Sequence, residues 1–370
     1  MMAAAIAALL AWLYLGFAHG RFWQAGPVLP ATPLKTAPSL AVVVPARDEA
    51  ALIARSLGLL LAQNYPGPLR IVLVDDRSTD GTGDIARGLA DPRLVVLRGS
   101  PRPPGWAGKL WALHQGVEAT NEELVLLTDA DIAHDPAHLS TLVAWLRQTG
   151  SCMVSEMAAL HCRTPAERAL IPAFVYLFQL LYPFDWVNDP LRSTAAAAGG
   201  TVLIRRAALD RVGGIAAISG ALIDDVALAR AVKPGGRIWL GHSALARSIR
   251  PYPGVADIWR MVTRSAYVQL RRSPVLLAGT IAALALVFLA GPIAALFGHG
   301  AARIAGLLAW LLMSATFVPT LRSFRRSPVW APLLPGIALF YMAATIGSAA
   351  SHHFGQGVQW KSRAYQGSRA

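Results

Sequence analysis

Charge is scarce in this chain: Asp, Glu, Lys and Arg make up 15% of its 370 residues, where a soluble domain carries about a quarter. Acids are the scarcer sign, 21 against 34 Lys and Arg, which leaves a formal net charge of +13. Cysteine occurs twice, as Cys152 and Cys162. That excludes a disulfide framework and a cysteine-based metal site, and points to a reducing compartment. There is no zinc-finger spacing, no basic helix and no basic run interleaved with aromatics, so the positive charge does not indicate a nucleic-acid partner. Acidic lipid headgroups and phosphate-bearing substrates remain as the polyanions it can serve. With 54% hydrophobic residues and a mean hydropathy of +0.43, the chain is too apolar for a purely soluble enzyme.

What is abundant is long uncharged sequence. Residues 2–18, 275–297, 304–321 and 329–350 are apolar runs, the last broken by Pro332 and Pro335. The first lacks a basic n-region and an evident cleavage site, so it reads as a retained anchor. A buried helix of a soluble core is the bland alternative for each run; four runs, three of them consecutive, weigh against it. Arg21, Lys35, Arg271, Arg272, Arg322, Arg325 and Arg326 flank these runs, and the positive-inside rule puts them on the cytoplasmic side. The expected organisation is an N-terminal anchor at 1–20, a cytoplasmic catalytic domain at 36–274, membrane helices at 275–350 and a basic tail at 351–370. One conflict stands: three full spans leave Lys361, Arg363 and Arg369 outside, against the charge rule, unless the last segment is re-entrant.

Between the membrane segments, strands and helices alternate. Residues 39–46, 70–76, 94–97 and 123–131 are short β-branched apolar runs; 48–62, 80–90 and 108–119 have helical spacing. Continuously apolar strands with helical crossovers predict an α/β fold, a mostly parallel sheet covered on both faces. Ligands then bind beyond the carboxyl ends of the strands, which is where the acids fall. Asp80 reads equally well as a helix cap. Asp75 and Asp76 do not, because an acid pair on an apolar strand end needs donors or a cation nearby, such as a nucleotide base and ribose supply.

Asp129-Ala130-Asp131 closes another strand. Alternation separates the two carboxylates, so one can bind Mg2+ or Mn2+ while the other orients sugar or ribose hydroxyls. Asp224 and Asp225 open the helical pattern DDVALARAV. Simple matching of the helix dipole accounts for one of them; the other is placed to act as a general base toward an acceptor hydroxyl. Lys109 is a candidate cation for donor phosphates, against the plainer reading of a solvated helix start.

The series VVVPARDEA, VLVDDRSTDGT, PPGWAGKLWAL, LLTDAD, AAGGTVLIRRAALDRVGG and IDDVALA resembles the family 2 glycosyltransferases, in that family's order, over roughly residues 38–270. The resemblance implies a GT-A fold and inversion at the anomeric carbon. The anchor, the YPFDWVNDP and QLRRSP segments, the three C-terminal runs and the final QWKSR look like the hopanoid-biosynthesis-associated glycosyltransferases of bacteria. It further implies that Pro45, Arg47 and Glu49 form the first nucleotide loop and that Asp76 recognises the base. Asp131 would be the metal ligand beside Asp129, and Asp225 the catalytic base, with Asp224 replacing a commoner glutamate. Processive members carry Q-x-x-R-W. Here the stretch is Met261-Val262-Thr263-Arg264-Ser265, so only Arg264 remains to meet the diphosphate, which implies transfer of a single sugar.

Residues 170–187 are apolar and aromatic but interrupted by Pro172 and Pro183. They suggest an interfacial helix near 165–190, with Tyr182, Phe184 and Trp186 presenting a membrane lipid acceptor. The expected reaction is metal-dependent transfer from a UDP-sugar to that lipid. The rivals are a polyprenyl-phosphate glycosyltransferase and a membrane scaffold without catalysis.

Overall fold

The computed structural model describes residues 1–354, 359–360 and 363–364. Lys361, Ser362 and Arg369 of the basic tail lie outside the described residues. The chain forms two compact units. One comprises Pro27–His161 and Trp186–Pro251 with residues from 359; the other comprises Met1–Gly26, Cys162–Asp185 and the chain from Tyr252.

The first unit is built on an eight-stranded sheet. Its strands are β1 (Leu40–Ala46), β2 (Leu69–Asp75), β3 (Leu94–Arg98), β4 (Leu124–Thr128), β5 (Ile132–His134), β6 (Met153–Ala159), β7 (Thr201–Arg205) and β8 (Ile238–Ser248), in the order β3-β2-β1-β4-β7-β6-β8-β5. β3, β2, β1 and β4 run parallel, β7 is antiparallel to both of its neighbours, and β6 is parallel to β8. Both faces are covered, as the unbroken apolar strands require. Val42 and Val44 share a core with Ile53, Leu57 and Leu60 of the Ala50–Leu61 helix and with Leu139, Leu142 and Leu146 of the His138–Thr149 helix. On the other face, Val72 and Val74 pack with Ala112 of the Gly108–Glu118 helix. That helix sits close because Gly116 has no side chain: a Cβ there would meet Val43 Cγ1 at 2.4 Å. Pro45 lies in β1 yet breaks no central ladder, since pairing with β4 ends at Val43–Leu127.

The strand ends are in register, Ala46 opposite Asp75 and Asp75 opposite Arg98, so the loops after β1 and β2 leave from one edge. β5 is short and pairs antiparallel with the end of β8, Ile132 opposite Ser248. The N–H of Ile249 extends that pairing to the carbonyl of Asp131 at 2.9 Å. Two segments far apart in sequence are thereby joined at the D-x-D.

The second unit is helical. Three of its helices are long and apolar enough to cross a membrane, Pro274–Phe297, Gly300–Ser323 and Pro328–Phe354. Met2–Phe17 is apolar but has 16 residues, about 24 Å of helix against a hydrocarbon core of ~30 Å. The first two long helices meet through small residues. A Cβ on Gly306 would lie 2.6 Å from the backbone of Gly291 and Ala295, so contact is backbone to backbone. Pro292 lacks an N–H, and the turn before it, Leu286–Ala290, is a π-helix. Trp12 satisfies a carbonyl of that turn, its Nε1 donating to Val287 O at 2.6 Å, with its ring edge-on to Phe288.

The final helix, Leu334–Phe354, runs back to where the first long helix starts. Ser348 Oγ donates to Thr263 O at 2.5 Å and accepts from Tyr267 N at 3.0 Å, just before the chain enters Pro274–Phe297. Trp310, mid-way along Gly300–Ser323, donates to Pro332 O at 3.0 Å. The chain after Ser323 therefore turns back along that helix before the last one begins.

The Pro165–Leu181 helix is capped by Thr164 and the buried Glu167, whose Oε1 also accepts from Tyr252 N at 2.7 Å. It packs inside the helical unit: Tyr176 stacks edge-on against Phe317 and hydrogen-bonds Thr316. Tyr182 and Phe184, expected at the membrane interface, are corrected here to interior positions, 7% and 3% exposed. The Tyr182 hydroxyl accepts from Gln269 Nε2 and Phe184 packs edge-on to Phe178. Trp186 belongs to the sheet unit, where Arg192 stacks over its ring.

Candidate active site

The loops after β1 and β2 are stitched to each other. Arg47 Nη1 donates to Asp76 O at 2.6 Å and sits 3.4 Å from Asp76 Oδ2. Asp48 N donates to Ser78 Oγ, and Asp48 Oδ1 accepts from Thr79 N. Glu49 N donates to Thr82 Oγ1 at 2.8 Å. Asp80 accepts from Thr82 N and from Ala50 N, the first residue of the preceding Ala50–Leu61 helix; the cap position of the Thr82–Arg87 helix that follows it is Gly81. Asp48 and Arg77 take left-handed backbone angles, φ 49° and 56°, which cost non-glycine residues roughly 1–3 kcal/mol and persist where the surroundings enforce them. Asp75 and Asp76 are 7% and 1% exposed. Asp75 Oδ1 accepts from Ser78 N, and Gly83 leaves room for Oδ2, which a Cβ would approach to 2.5 Å.

A second cluster gathers around Lys109. Its Nζ lies 2.8 Å from Asp129 Oδ1 and 2.9 Å from Asp224 Oδ2. Burial would push the ammonium pKa down; the two carboxylates outweigh that and hold it up. Lys109 is thus a paired interior cation and not a solvated helix start. Burial raises the Asp129 carboxyl, and Asp131 beside it acts in the same direction against Lys109.

Asp225, at the start of the Asp224–Val232 helix, is fixed by backbone: Gly199 N donates to Oδ2 and Val226 N to Oδ1, both at 2.8 Å. Burial, then the charge of Asp224, push its carboxyl up to about 7, with Lys109 pulling the other way. Gly199 must be small, since a Cβ would stand 3.3 Å from Asp225 Oδ2 and 3.4 Å from Lys109 Nζ. Lys109, Asp129, Gly199, Asp224 and Asp225 line one pocket together with Leu110, Leu113 and Ile215.

Asp131 belongs to a third ion-paired group. Arg250, just past β8, donates from Nε to Asp131 Oδ2 at 2.6 Å and from Nη2 to Glu49 Oε1 at 2.5 Å. Sequence reading passed over Arg250, because nothing local separates it from the chain's other arginines; only the pairing of β5 with β8 brings it here. Arg264 belongs to the helical unit, exposed at the end of the Val255–Thr263 helix.

A buried polar chain, also unforeseen, runs beneath these residues. Thr128 Oγ1 donates to Gly200 O at 2.7 Å, so it can only accept from His134 Nε2 at 3.1 Å. His134 Nδ1 then accepts from His138 Nδ1 at 2.8 Å, and His138 Nε2 faces Glu156 Oε2 at 2.6 Å. Burial drives both imidazoles toward the neutral form, His138 to about 3, and raises Glu156 to about 8. With neutral imidazoles and a single hydroxyl proton, every donor is consistent only if Glu156 is protonated and donates. The chain ties β4, one residue before Asp129, to the Gly199–Gly200 turn that holds Asp225.

The backbone defines the class. It is similar to the mannosyltransferase PcManGT from Pyrobaculum calidifontis, solved with GDP-Man and Mn2+, with a TM-score of 0.59 over 94% of this chain and 98% of that one. At 21% identity the likeness is one of fold, the GT-A type. Residues 41–213, somewhat under half of the chain, match the profile described as Glycosyl transferase family 2. A probable glycosyltransferase, YdaM, of Bacillus subtilis is 25% identical over 49% of this chain and 44% of its own length. Beta-monoglucosyldiacylglycerol synthase of Nostoc sp. is 37% identical over 25% of this chain and 20% of its own length. The 4,4'-diaponeurosporenoate glycosyltransferase of Staphylococcus haemolyticus is 27% identical over 28% and 27%. The chain spans less than half the length of each of these relatives.

Proposed function

We propose that this protein transfers one sugar, with inversion, from a nucleoside-diphosphate sugar to a hydroxyl of a membrane lipid. The observation that carries the reading is Asp225: a carboxylate aimed by two backbone N–H groups and tuned to about 7, in a pocket it shares with Lys109. A general base works best when its pKa lies near the working pH. The acceptor oxygen attacks the anomeric carbon as its proton passes to Asp225. The carbon–oxygen bond to the diphosphate breaks, and Lys109 is placed to meet the diphosphate charge. Pro45, Arg47, Glu49, Asp75 and Asp76 hold base and ribose in the stitched loops; Asp129 orients the sugar.

Asp131 already accepts from a charged guanidinium, so the end of β4 is a cation-holding position made of hard oxygen. Among the described residues no three His, Cys, Asp or Glu converge. That suits Mg2+ or Mn2+, which takes one or two carboxylates and completes its shell with phosphate oxygens and water. Bound by Asp131, the ion would offset charge on the leaving diphosphate.

The three apolar helices support a membrane setting, with the sheet unit on the cytoplasmic face of a bacterial inner membrane. Two relatives named for glycosylating lipids support a lipid acceptor. Hopanoids enter as the narrowest form of that proposal, by the resemblance of the flanking segments. The test is nucleotide release by the detergent-solubilised protein, with UDP- and GDP-sugars offered separately, lipid extract present or absent, and Mn2+ or chelator. Release that needs metal and lipid is expected. Release that persists in Asp225→Asn would instead favour a polyprenyl phosphate, an acceptor already ionised.

A further inference from the structure

We propose that Arg250 is a placeholder for the metal ion and then a ligand of the donor diphosphate. Its guanidinium bridges Asp131 and Glu49, two acids at the ends of neighbouring parallel strands β4 and β1, and is anchored through the backbone of Ile249 to Asp131 itself. The inference rests on the metal-dependent reading of Asp131.

The ion pairs around the D-x-D engage two cations, Lys109 with Asp129 and Asp224, and Arg250 with Asp131 and Glu49. Without donor, Arg250 holds Asp131 and Glu49 in place through its two ion pairs. A divalent ion arriving with a diphosphate needs the same Asp131 oxygens, and two cations on one carboxylate repel. Arg250 would then yield Asp131 to an ion held also by phosphate, and its guanidinium would be released toward the diphosphate. Arg250 is suited to this: its side chain is 29% exposed, so it is free to swing outward. Its planar fork matches phosphate oxygens as well as carboxylate. The exchange lets metal bind weakly alone and firmly with donor, which ties the ion's arrival to that of the nucleotide.

The test reads Mn2+ binding by electron paramagnetic resonance on the full chain in detergent, with and without nucleoside diphosphate. Arg250→Gln is expected to bind Mn2+ about tenfold more tightly than wild type when nucleotide is absent. The same variant should raise the donor KM about tenfold, losing the fork's phosphate contacts. Arg250→Lys keeps the competing charge, so its metal affinity should stay near wild type while its donor KM rises. A gain in affinity cannot come from misfolding, which keeps the sign of the result decisive. Unchanged or weaker Mn2+ binding in Arg250→Gln, with loss in Asp131→Asn, overturns the role of Arg250 alone. Equal binding by wild type and Asp131→Asn overturns the metal reading, and the inference with it.

Discussion

The two halves of the candidate site are held together by different means. The loops after β1 and β2 are joined by short bonds between backbone and small polar side chains, Asp48 with Thr79, Glu49 with Thr82, Asp80 with Ala50. The Lys109 cluster is joined by charge, from residues on separate elements: Lys109, Asp129 and Asp224. The first half is a cradle closed by bonds within the protein. The second is a balance of charges that a charged ligand or a proton can shift. On the proposed reaction, donor base and ribose meet the stitched half while the sugar, diphosphate and acceptor meet the Lys109 half, and this division can be broken experimentally.

The largest effect is expected at Asp225. Asp225→Asn keeps the shape and removes the base, so kcat should fall about 10²–10⁴-fold with little change in donor KM. A fall in donor affinity alone would contradict the division. Next is Lys109→Met. It removes the cation that pulls the Asp225 carboxyl down, so the pH midpoint of kcat should move upward and the rate at neutral pH should drop about tenfold or more. In wild type the base is active when ionised. The rate should therefore climb with pH and level off above about 7, the value for Asp225; a flat profile across pH 6–8, an order-of-magnitude window around that value, would contradict the assignment.

Glu156 tests the scaffold under both halves. Glu156→Gln retains a donor to His138 and should cost little, whereas Glu156→Leu strands a buried imidazole acceptor at about 1–3 kcal/mol. The folded carboxyl keeps its proton to about 8, where an unperturbed one ionises near 4.5. The folded state thus binds more protons in that interval, and stability from this group declines as pH rises through it. Glu156→Gln should abolish that decline, measured by thermal unfolding. The smallest effect lies in the helical unit: Trp12→Phe removes one hydrogen bond to Val287 O and should cost about 1 kcal/mol.

The stitched loops were legible in sequence because each of their acids follows its strand within a few residues, so local pattern and strand-end position suffice. The D-x-D was nameable for the same reason, and Lys109 as a cation at the start of a helical pattern. Their partnership was not, since the Gly108–Glu118 helix reaches Asp129 and Asp224 only through packing. Tyr182 and Phe184 were misplaced because an aromatic-rich segment looks alike from sequence whether it faces lipid or other helices.

The sequence by itself determined the parallel α/β core, the apolar helices and the candidate acids, because hydrophobic period and strand-end position are local properties. Tertiary structure alone decided which cation meets which acid. Arg250 on Asp131, Gly199 on Asp225 and the buried path from Thr128 to Glu156 join residues up to 119 positions apart. Only strand order and antiparallel register bring such residues together. The turn of the last helix back toward Thr263 rests likewise on contacts between distant segments, among them Ser348 with Thr263 and Tyr267, and Phe340 with Trp259.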